Sequence, residues 1–345
     1  ERAESLATAG RLVARLGNEA AGRELVEEAA AMVDRMGSGE SQQRARTQVA
    51  KNLAPFDPER AAKLLGPIAD KNRRERYLMD VAVAIAPRDL AKAKEILKEI
   101  SPWYANGAIT PIAYEVAQTR PDEALRILDE LCGQSASYRD GERTKAEALG
   151  WVAVAIAPRD SKRAWALIDQ AMELCLEPSR NGDFGGGRGG RPTRAAVLAL
   201  QAQQTGYPDL ESVVHRVLAS RMTTKDSHSP TSVAESHVMM AMILAMVDPA
   251  TAKEVLQSLE PQLAAIGSGG TGIGRDEWFK AWALADPRGV PERVRQGLAA
   301  KADQPDRDQI LRGVVEIVEL LTIPPGERLK ELVRWTGIWI PGEER

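Results

Sequence analysis

Aromatic residues are scarce in this chain of 345 residues, where Phe, Trp and Tyr together make up 4% of the sequence. The hydrophobic fraction of 43% therefore comes mainly from Ala, Leu, Val and Ile. Such small aliphatic side chains suit closely packed helices better than the facing sheets of a β-sandwich. The composition favours an all-α fold.

Cysteine and histidine are also rare, and their spacing excludes several kinds of chemistry. Cys132 and Cys175 belong to no CxxC pair, so the sequence has neither a disulfide framework nor a zinc-binding spacing. We expect two buried thiols, although both lie late in the second helix of adjacent repeats, where a disulfide is geometrically conceivable. His215, His228 and His237 show no HExxH spacing, and no GxSxG motif occurs. The sequence therefore predicts no catalytic residues, no metal site and no cofactor.

Charge of one sign is not in excess, because 46 Lys and Arg nearly balance 49 Asp and Glu, a formal net charge of −3. A dedicated nucleic-acid-binding protein normally has a strong basic excess, so nucleic acid is not expected as a partner. No segment approaches the roughly 20 apolar residues of a membrane span. The chain opens with Glu1 rather than Met, which indicates a trimmed N-terminus. A cytoplasmic location is the expectation, and a removed targeting signal stays open.

An internal repeat dominates the sequence. The segment VAVAIAPRD occurs at Val81–Asp89 and again at Val152–Asp160, a separation that corresponds to two repeats of roughly 35 residues. Related segments align with it at Val49–Leu65, Ile112–Leu128, Met240–Leu256 and Trp278–Val294. The six copies share one anchor position, occupied by Asp57, Asp89, Arg120, Asp160, Asp248 and Asp286. Apolar residues spaced by four precede each anchor, and a second apolar pattern follows it, which predicts two amphipathic helices per copy.

The junction between the two helices contains clear stop and start residues. In Ala54–Pro58 the first proline ends one helix, because it disfavours helical geometry in the residue before it. Asp57 is then expected to cap the next helix, with Pro58 at the first position, where a missing N–H costs nothing. Asp248–Pro249 and Asp286–Pro287 repeat this arrangement. A turn this short predicts that the two helices are antiparallel.

Three further segments, residues 4–36, 192–221 and 306–335, look like weaker copies of the helix pair. With them the chain resembles the α-solenoid class of helical-hairpin repeats, the tetratricopeptide and HEAT-like arrays. The copies lack the Trp, Gly and Tyr set of the tetratricopeptide signature, so no named family within the class is assigned. The resemblance implies a right-handed α-solenoid of about eight to nine degenerate antiparallel helix-pair repeats. It also implies a single domain over residues 1–345, with a subdivision conceivable at 177–192, and a concave face that binds partners.

Two glycine-rich segments interrupt the repeats, at 177–192 and 267–274. No strand is predicted before either segment and no Gly-Lys-Ser/Thr follows, so we interpret them as flexible connections rather than phosphate-binding loops. The first contains Arg188 and Arg191, which are candidates for contact with an anionic partner. The basic run Lys71–Arg76 is interpreted as a solvated first helical turn, with contact to an acidic partner as the alternative.

Two tryptophans occupy repeat positions that are not consistently apolar. Trp151 and Trp165 stand where other copies have mixed or polar residues, which predicts rings that are partly exposed. An exposed Trp is a frequent anchor of a protein interface. Packing beneath the segment 177–192 is the alternative. Four other tryptophans are expected in the hydrophobic core or its last layer: Trp278, Trp282, Trp335 and Trp339.

The sequence favours a non-catalytic scaffold that binds a protein or peptide on a concave helical-repeat surface. The candidate partner-binding residues are Trp151, Trp165, Arg188 and Arg191. Two alternatives stay open: an enzyme on a HEAT-like scaffold, of the nucleic-acid glycosylase type, and a structural segment of a larger protein. The net charge of −3 argues against the glycosylase, which requires a basic groove for phosphates.

Overall fold

The computed structural model describes residues 2–37, 39–68, 70–134, 141–176, 191–221, 230–266 and 275–299, together with residues 314, 315, 317, 318, 322, 323, 339 and 341. Throughout these residues the regular secondary structure is α-helical, which confirms the all-α fold. The chain forms two compact units, Glu1–Thr144 and Lys145–Arg345. The single domain over the whole chain stays a prediction.

The first unit contains consecutive helices joined by short turns. They are α1 (Arg2–Arg15), α2 (Glu19–Asp34), α3 (Glu40–Leu53), α4 (Pro58–Leu65), α5 (Lys71–Ile85), α6 (Leu90–Glu99), α7 (Pro102–Ala117) and α8 (Pro121–Gln134). Each odd-numbered helix packs on the helix that follows it. Each odd-numbered helix also packs on the next odd-numbered one, so that α1, α3, α5 and α7 are neighbours in succession.

The second unit repeats this packing order. Its helices are α9 (Gly141–Ile156), whose first turn crosses the unit boundary, α10 (Ser161–Leu176), α11 (Arg191–Gln204), α12 (Leu210–Arg221), α13 (Pro230–Leu244), α14 (Pro249–Ile266), α15 (Arg275–Ala285) and α16 (Val290–Ala299). Here α11, α13 and α15 are successive neighbours, and each packs on the helix that follows it. The amide nitrogen of Gln201 on α11 donates to the backbone carbonyl of Glu147 on α9 at 3.2 Å.

The repeat positions coincide with the hydrophobic core. Buried residues four positions before the anchors are Leu53, Ile85, Val116, Ile156, Leu244 and Trp282, and those four positions after them are Ala61, Ala93, Ala124, Ala164, Ala252 and Val290. The recurrent small residue brings the two helices of a pair close together. Trp278 departs from the expected core placement, because its ring is only half-buried and packs edge-on against Trp282 at 5.9 Å between ring centres.

Aspartate caps begin the second helices of several pairs, as predicted. Asp57, Asp89 and Asp160 each accept a hydrogen bond from the backbone N–H three residues further on, at 3.0, 2.9 and 3.0 Å. Asp248 accepts one from the backbone N–H of Thr251 at 3.3 Å and a second from the Thr251 hydroxyl at 2.6 Å. These bonds satisfy N–H groups that the first turn of a helix leaves without an intrahelical acceptor.

The predicted start of the last described helix is wrong. α16 begins at Val290 rather than at Pro287. Residues 287–289 instead form a turn, which the backbone N–H of Gly289 holds by donating to Asp286 Oδ1 at 3.2 Å. The other carboxylate oxygen of Asp286 forms an ion pair with Lys253 at 2.7 Å. Hydrogen bonds and the positive charge of Lys253 therefore hold the pKa of Asp286 below its ordinary value.

Arginines join the turn of one helix pair to the turn of the preceding pair in the first unit. Arg88 Nη1 donates to the carbonyl oxygen of Pro55 at 3.0 Å, and its guanidinium lies 5.4 Å from the centre of the Phe56 ring. One pair further on, Arg120 Nη2 donates to the carbonyl oxygen of Pro87 at 2.8 Å. These carbonyls lie just beyond the end of a helix and lack an intrahelical donor. The arginines therefore satisfy them and tie successive pairs together.

Candidate functional site

An open groove in the first unit lies where the first two turns of α3, α5 and α7 meet. Its volume is about 640 Å³. We call it the basic groove; its lining residues are Glu40, Ser41, Gln43, Arg44, Asn72, Arg73, Arg76, Tyr77 and Tyr104. The volume falls within the range of about 300–1,000 Å³ that is typical of ligand-binding pockets. Three successive helix pairs therefore contribute to one concave site.

The helix starts that form the basic groove are set by local sequence. α5 begins after Asp70, whose carboxylate accepts a hydrogen bond from the backbone N–H of Arg73 at 3.0 Å. α7 begins after Ser101, and Pro102 takes its first position, where proline is favoured. α3 begins after Gly39, which makes no side-chain cap. The groove is therefore surrounded by the polar first turns of α3, α5 and α7, and not by their apolar C-terminal ends.

Arginine dominates the charge of the basic groove. Arg44, Arg73 and Arg76 line it, against a single carboxylate from Glu40. Arg73 Nη1 lies 3.4 Å from the amide oxygen of Gln43, a long hydrogen bond. Arg44 and Arg76 are exposed, and no carboxylate among the described residues forms an ion pair with either. The groove therefore offers guanidinium groups that the described part of the chain does not neutralise.

The first turn of α5 adds positive charge at a position where a helix disfavours it. Lys71, Arg73 and Arg74 lie in this turn, which contains no acidic residue. The N-terminal end of a helix already carries a partial positive charge from its unpaired N–H groups. A cation there costs a few tenths of a kcal/mol up to about 1 kcal/mol, whereas an anion is stabilised by a similar amount. The Asp70 cap and the ion pair between Lys71 and Glu75 offset part of this charge, whereas Arg73 and Arg74 form no ion pair with the described residues.

A buried carboxylate fixes α5 against α7 beside the groove. Glu75 is 5% exposed, and its Oε2 accepts a hydrogen bond from the backbone N–H of Ser101 at 3.3 Å. Its other oxygen lies 3.7 Å from Lys71 Nζ. Hydrogen bonding to the Ser101 side chain, together with the backbone N–H and Lys71, holds the pKa of Glu75 below its ordinary value, although burial opposes this shift. Glu75 therefore positions the start of α7, and with it Tyr104, next to Arg76.

Aromatic side chains complete the site. Tyr77 and Tyr104 line the basic groove and are half-buried. Trp103, the neighbour of Tyr104 in the chain, is 73% exposed. A large aromatic ring left in solvent is a frequent anchor of an interface, because it supplies contact area with few rotatable bonds. Arginine and aromatic residues are the types that interface hot spots favour.

The partial exposure predicted for Trp151 is wrong. Its side chain is 0% exposed, and its ring packs edge-on against Trp339 at 5.9 Å between ring centres. Trp339 comes from the C-terminal end of the same unit, so its contact with Trp151 lies outside the repeat alignment that suggested exposure. Trp339 itself is buried, in agreement with its expected place in a hydrophobic layer. Trp151 is a core residue and offers no free ring to a partner.

Trp165 is half-buried on α10. Its indole N–H donates to the carbonyl oxygen of Thr205 at 3.2 Å, at the end of α11. Nearby, the Tyr207 hydroxyl donates to Asp169 Oδ1 at 2.7 Å, and this bond raises the pKa of Tyr207 to about 12. These bonds join α10 to the turn between α11 and α12. The role of Trp165 in partner binding stays a prediction.

The two arginines predicted from the glycine-rich segment are not placed. Arg188 lies outside the described residues, as do the glycine-rich segments at 177–190 and 267–274. Arg191 is the first residue of α11, but its side chain also lies outside the described part of the chain. The role of these arginines in partner binding stays a prediction.

Other elements of the described residues carry no recognised chemical site. Cys132 and Cys175 are both buried thiols, as predicted. Among the residues that the structure describes, no group of three His, Cys, Asp or Glu side chains is arranged to hold a metal ion. Over the same residues, every helix is too short or too polar to cross a membrane.

The basic groove was only partly visible in the sequence. The run Lys71–Arg76 indicates a helix start, but the contributions of α3 and α7 require the packing of three helix pairs. The repeat pattern does not indicate Trp103 and Tyr104, although an aromatic doublet directly after Ser101 and Pro102 is conspicuous in a chain with 4% aromatics. The doublet lies in a polar first turn and not at the apolar repeat positions. This placement is the feature of the sequence that indicates a surface site.

Comparison with known proteins gives no relative for this chain: no family model, no curated protein and no solved structure matches it.

Proposed function

We propose that this chain is a non-catalytic module that binds a protein or peptide, and that the basic groove is its partner-binding site. The observation that carries this proposal is the meeting of exposed arginines and half-buried tyrosines from α3, α5 and α7 in one open groove. A surface built from several repeats is how helical-repeat proteins bind extended partners.

The proposed architecture is a right-handed α-solenoid of about eight to nine helix-pair repeats. Three features support it: the six aligned copies in the sequence, the burial of their shared apolar positions, and the contacts between successive odd-numbered helices. The hydrogen bonds of Arg88 and Arg120 to the preceding turns support it as well, because they link each pair to its neighbour. In such a stack each helix pair contacts only its neighbours. The polar surface along the stack is therefore available for a partner.

The partner-binding role is supported by residues that folding does not require. Arg44 and Arg76 are exposed, and they make no ion pair with the described residues. Trp103 keeps most of its ring in solvent, although burial would remove its apolar surface from water. Unpaired arginines in an open groove, with an exposed ring adjacent in sequence to the groove residue Tyr104, fit an interface better than they fit a stabilised surface.

A peptide selection tests this proposal. The chain is immobilised, peptides are selected from a random display library, and the selected peptides are measured by calorimetry against the intact chain. The groove variant is Arg44→Ser with Arg76→Ser. The matched control is Lys63→Ser with Arg126→Ser, which removes the same charge from exposed positions on α4 and α8. Circular dichroism establishes that all three proteins are equally helical.

The expected result is that selected peptides bind the intact chain and the control alike, and that the groove variant binds them at least tenfold more weakly, since each charge-assisted hydrogen bond contributes about 1.5–3 kcal/mol. A library that yields no binding peptide would overturn the proposal. Peptides that bind the groove variant as tightly as the intact chain would place the partner site elsewhere.

A further inference from the structure

The geometry points to a specific class of partner for the basic groove: an acidic peptide segment that carries an aromatic or large apolar residue beside its carboxylates. This inference rests on the proposed function and names the chemistry of its ligand. Glutamate and aspartate side chains would receive hydrogen bonds from Arg44, Arg73 and Arg76. The apolar residue would pack against the exposed ring of Trp103 and the half-buried rings of Tyr77 and Tyr104.

Charge is the first argument for this ligand. Three guanidinium groups line the groove against one carboxylate, and none of the three forms an ion pair with a described residue. An arginine fork can bind a carboxylate through two parallel hydrogen bonds, which gives both energy and orientation. The concave shape of the groove strengthens the local field, because its walls exclude part of the solvent. An anion therefore complements the groove.

The first turn of α5 favours the same sign of ligand. Arg73 and Arg74 raise the positive potential that the N–H groups of this turn already produce, whereas Lys71 is paired with Glu75 and the Asp70 carboxylate caps the turn. Asn72, between Lys71 and Arg73, lines the groove with an uncharged amide. A ligand carboxylate near Asn72 would relieve the repulsion between Arg73 and Arg74 when it binds. Both the N-terminal end of α5 and the arginine side chains therefore favour an anionic ligand.

A peptide fits better than a nucleic acid, because the groove is short. Several basic side chains elsewhere in the first unit are paired with acidic ones. Arg60 pairs with Glu27 and Asp34, and Lys94 pairs with Glu130. A nucleic acid carries a regular row of phosphates and is bound along an extended basic track. A groove of about 640 Å³ instead matches a short segment of side chains.

Trp103 is the basis for expecting an apolar residue in the ligand. It is 73% exposed and follows Pro102 at the start of α7, adjacent in sequence to the groove residue Tyr104. A purely acidic ligand would leave this ring in water. An aromatic or large apolar residue next to the carboxylates would cover it, which adds affinity that does not depend on salt.

Three fluorescein-labelled probes test the inference by fluorescence anisotropy at low ionic strength. The first is a short peptide of glutamate, glycine and one tryptophan, and the second replaces every glutamate with glutamine. The third is single-stranded oligothymidylate. We expect the acidic peptide to bind, the glutamine peptide to bind at least tenfold more weakly, and binding of the acidic peptide to weaken as salt is raised. Binding of the oligonucleotide without the acidic peptide would overturn the inference in favour of a nucleic acid.

Asn72→Asp is the decisive variant, because it changes an amide to a carboxylate of the same shape on an exposed residue. The new carboxylate competes with the ligand for the same cations. The acidic peptide should then bind about fivefold more weakly, the factor that corresponds to roughly 1 kcal/mol for an exposed charge pair. Lys63→Glu, which adds negative charge on α4 outside the groove, should leave the affinity unchanged. An equal loss in both variants would attribute binding to overall charge and overturn the site.

The result separates this inference from the proposed function. If the random library yields peptides that bind in the groove but carry no excess of acidic residues, the module stands and the acidic specificity is wrong. If neither the library nor the acidic peptide gives binding, both proposals fail.

Discussion

Arg88 Nη1 donates to the carbonyl oxygen of Pro55 at 3.0 Å, and the same nitrogen lies 2.9 Å from Glu19 Oε1. One side chain therefore connects the turn after α5 with the turn after α3 and with the first residue of α2. Arg120 makes the equivalent bond to Pro87 one helix pair later. In the first unit, the polar turns thus contribute to cohesion between pairs, in addition to the apolar repeat positions.

Replacing Arg88 with methionine should lower the free energy of unfolding by about 1 kcal/mol. A charge-assisted hydrogen bond contributes about 1.5–3 kcal/mol, and we reduce this figure because the side chain is 45% exposed and screened by solvent. Urea denaturation followed by circular dichroism measures the change. Arg126→Met, at an exposed position on α8, is the control and should change stability by less than about 0.5 kcal/mol. Equal effects of the two substitutions would contradict a role for Arg88 between pairs.

Trp151 and Trp165 should differ sharply in their contribution to stability. Trp151→Ala removes a fully buried ring that packs against Trp339, so it should cost about 3–5 kcal/mol. Trp165→Phe keeps most of a half-buried ring and removes the hydrogen bond to Thr205, so it should cost about 1 kcal/mol. Thermal and urea unfolding of both variants measure these costs. A folded Trp151→Ala variant as stable as the intact chain would refute the buried placement.

The stability of the first unit should fall in acid through Glu75. Its pKa is lowered in the folded state, so the unfolded chain takes up the proton first as the pH falls. The contribution of Glu75 is therefore present above the ordinary glutamate pKa and is lost as the pH falls through the lowered folded value. Denaturation at a series of pH values from neutral to acidic measures this dependence. In Glu75→Gln the free energy of unfolding should depend less on pH in the acidic range. If that dependence is unchanged in the variant, other carboxylates are responsible for it.

Asn72→Asp should raise the stability of the chain while it weakens peptide binding. A carboxylate in the first turn of α5 interacts favourably with the helix N-terminus and with the neighbouring cations, which contributes about 0.3–1 kcal/mol. The midpoint of urea unfolding at neutral pH measures this gain, which should disappear below the pKa of the new aspartate. A destabilised variant would mean that Arg73 and Arg74 are already neutralised, in conflict with the account of the groove.

The helices were predictable because their apolar positions recur. Leu53, Ile85 and Val116 occupy one repeat position and are all buried, and Asp57 and Asp89 cap the helices that the alignment assigned to them. The predictions that were wrong or incomplete concern contacts between residues of different repeats or turns. Burial of Trp151 depends on a ring from the far end of the chain, and the later start of α16 depends on a turn that Gly289 closes. The basic groove depends on three helix starts that are separate in sequence.

Hydrogen exchange of the intact chain, with and without the acidic tryptophan peptide, tests the central claim most directly. The first N–H groups of a helix have no intrahelical acceptor, so slower exchange at a helix start reports contact with a ligand or closure of the site around it. We predict that the peptide slows exchange in the first turns of α3, α5 and α7 and leaves α11 to α13 unchanged. Protection confined to the second unit, or no protection at a peptide concentration that saturates binding, would contradict the assignment of the basic groove as the partner site.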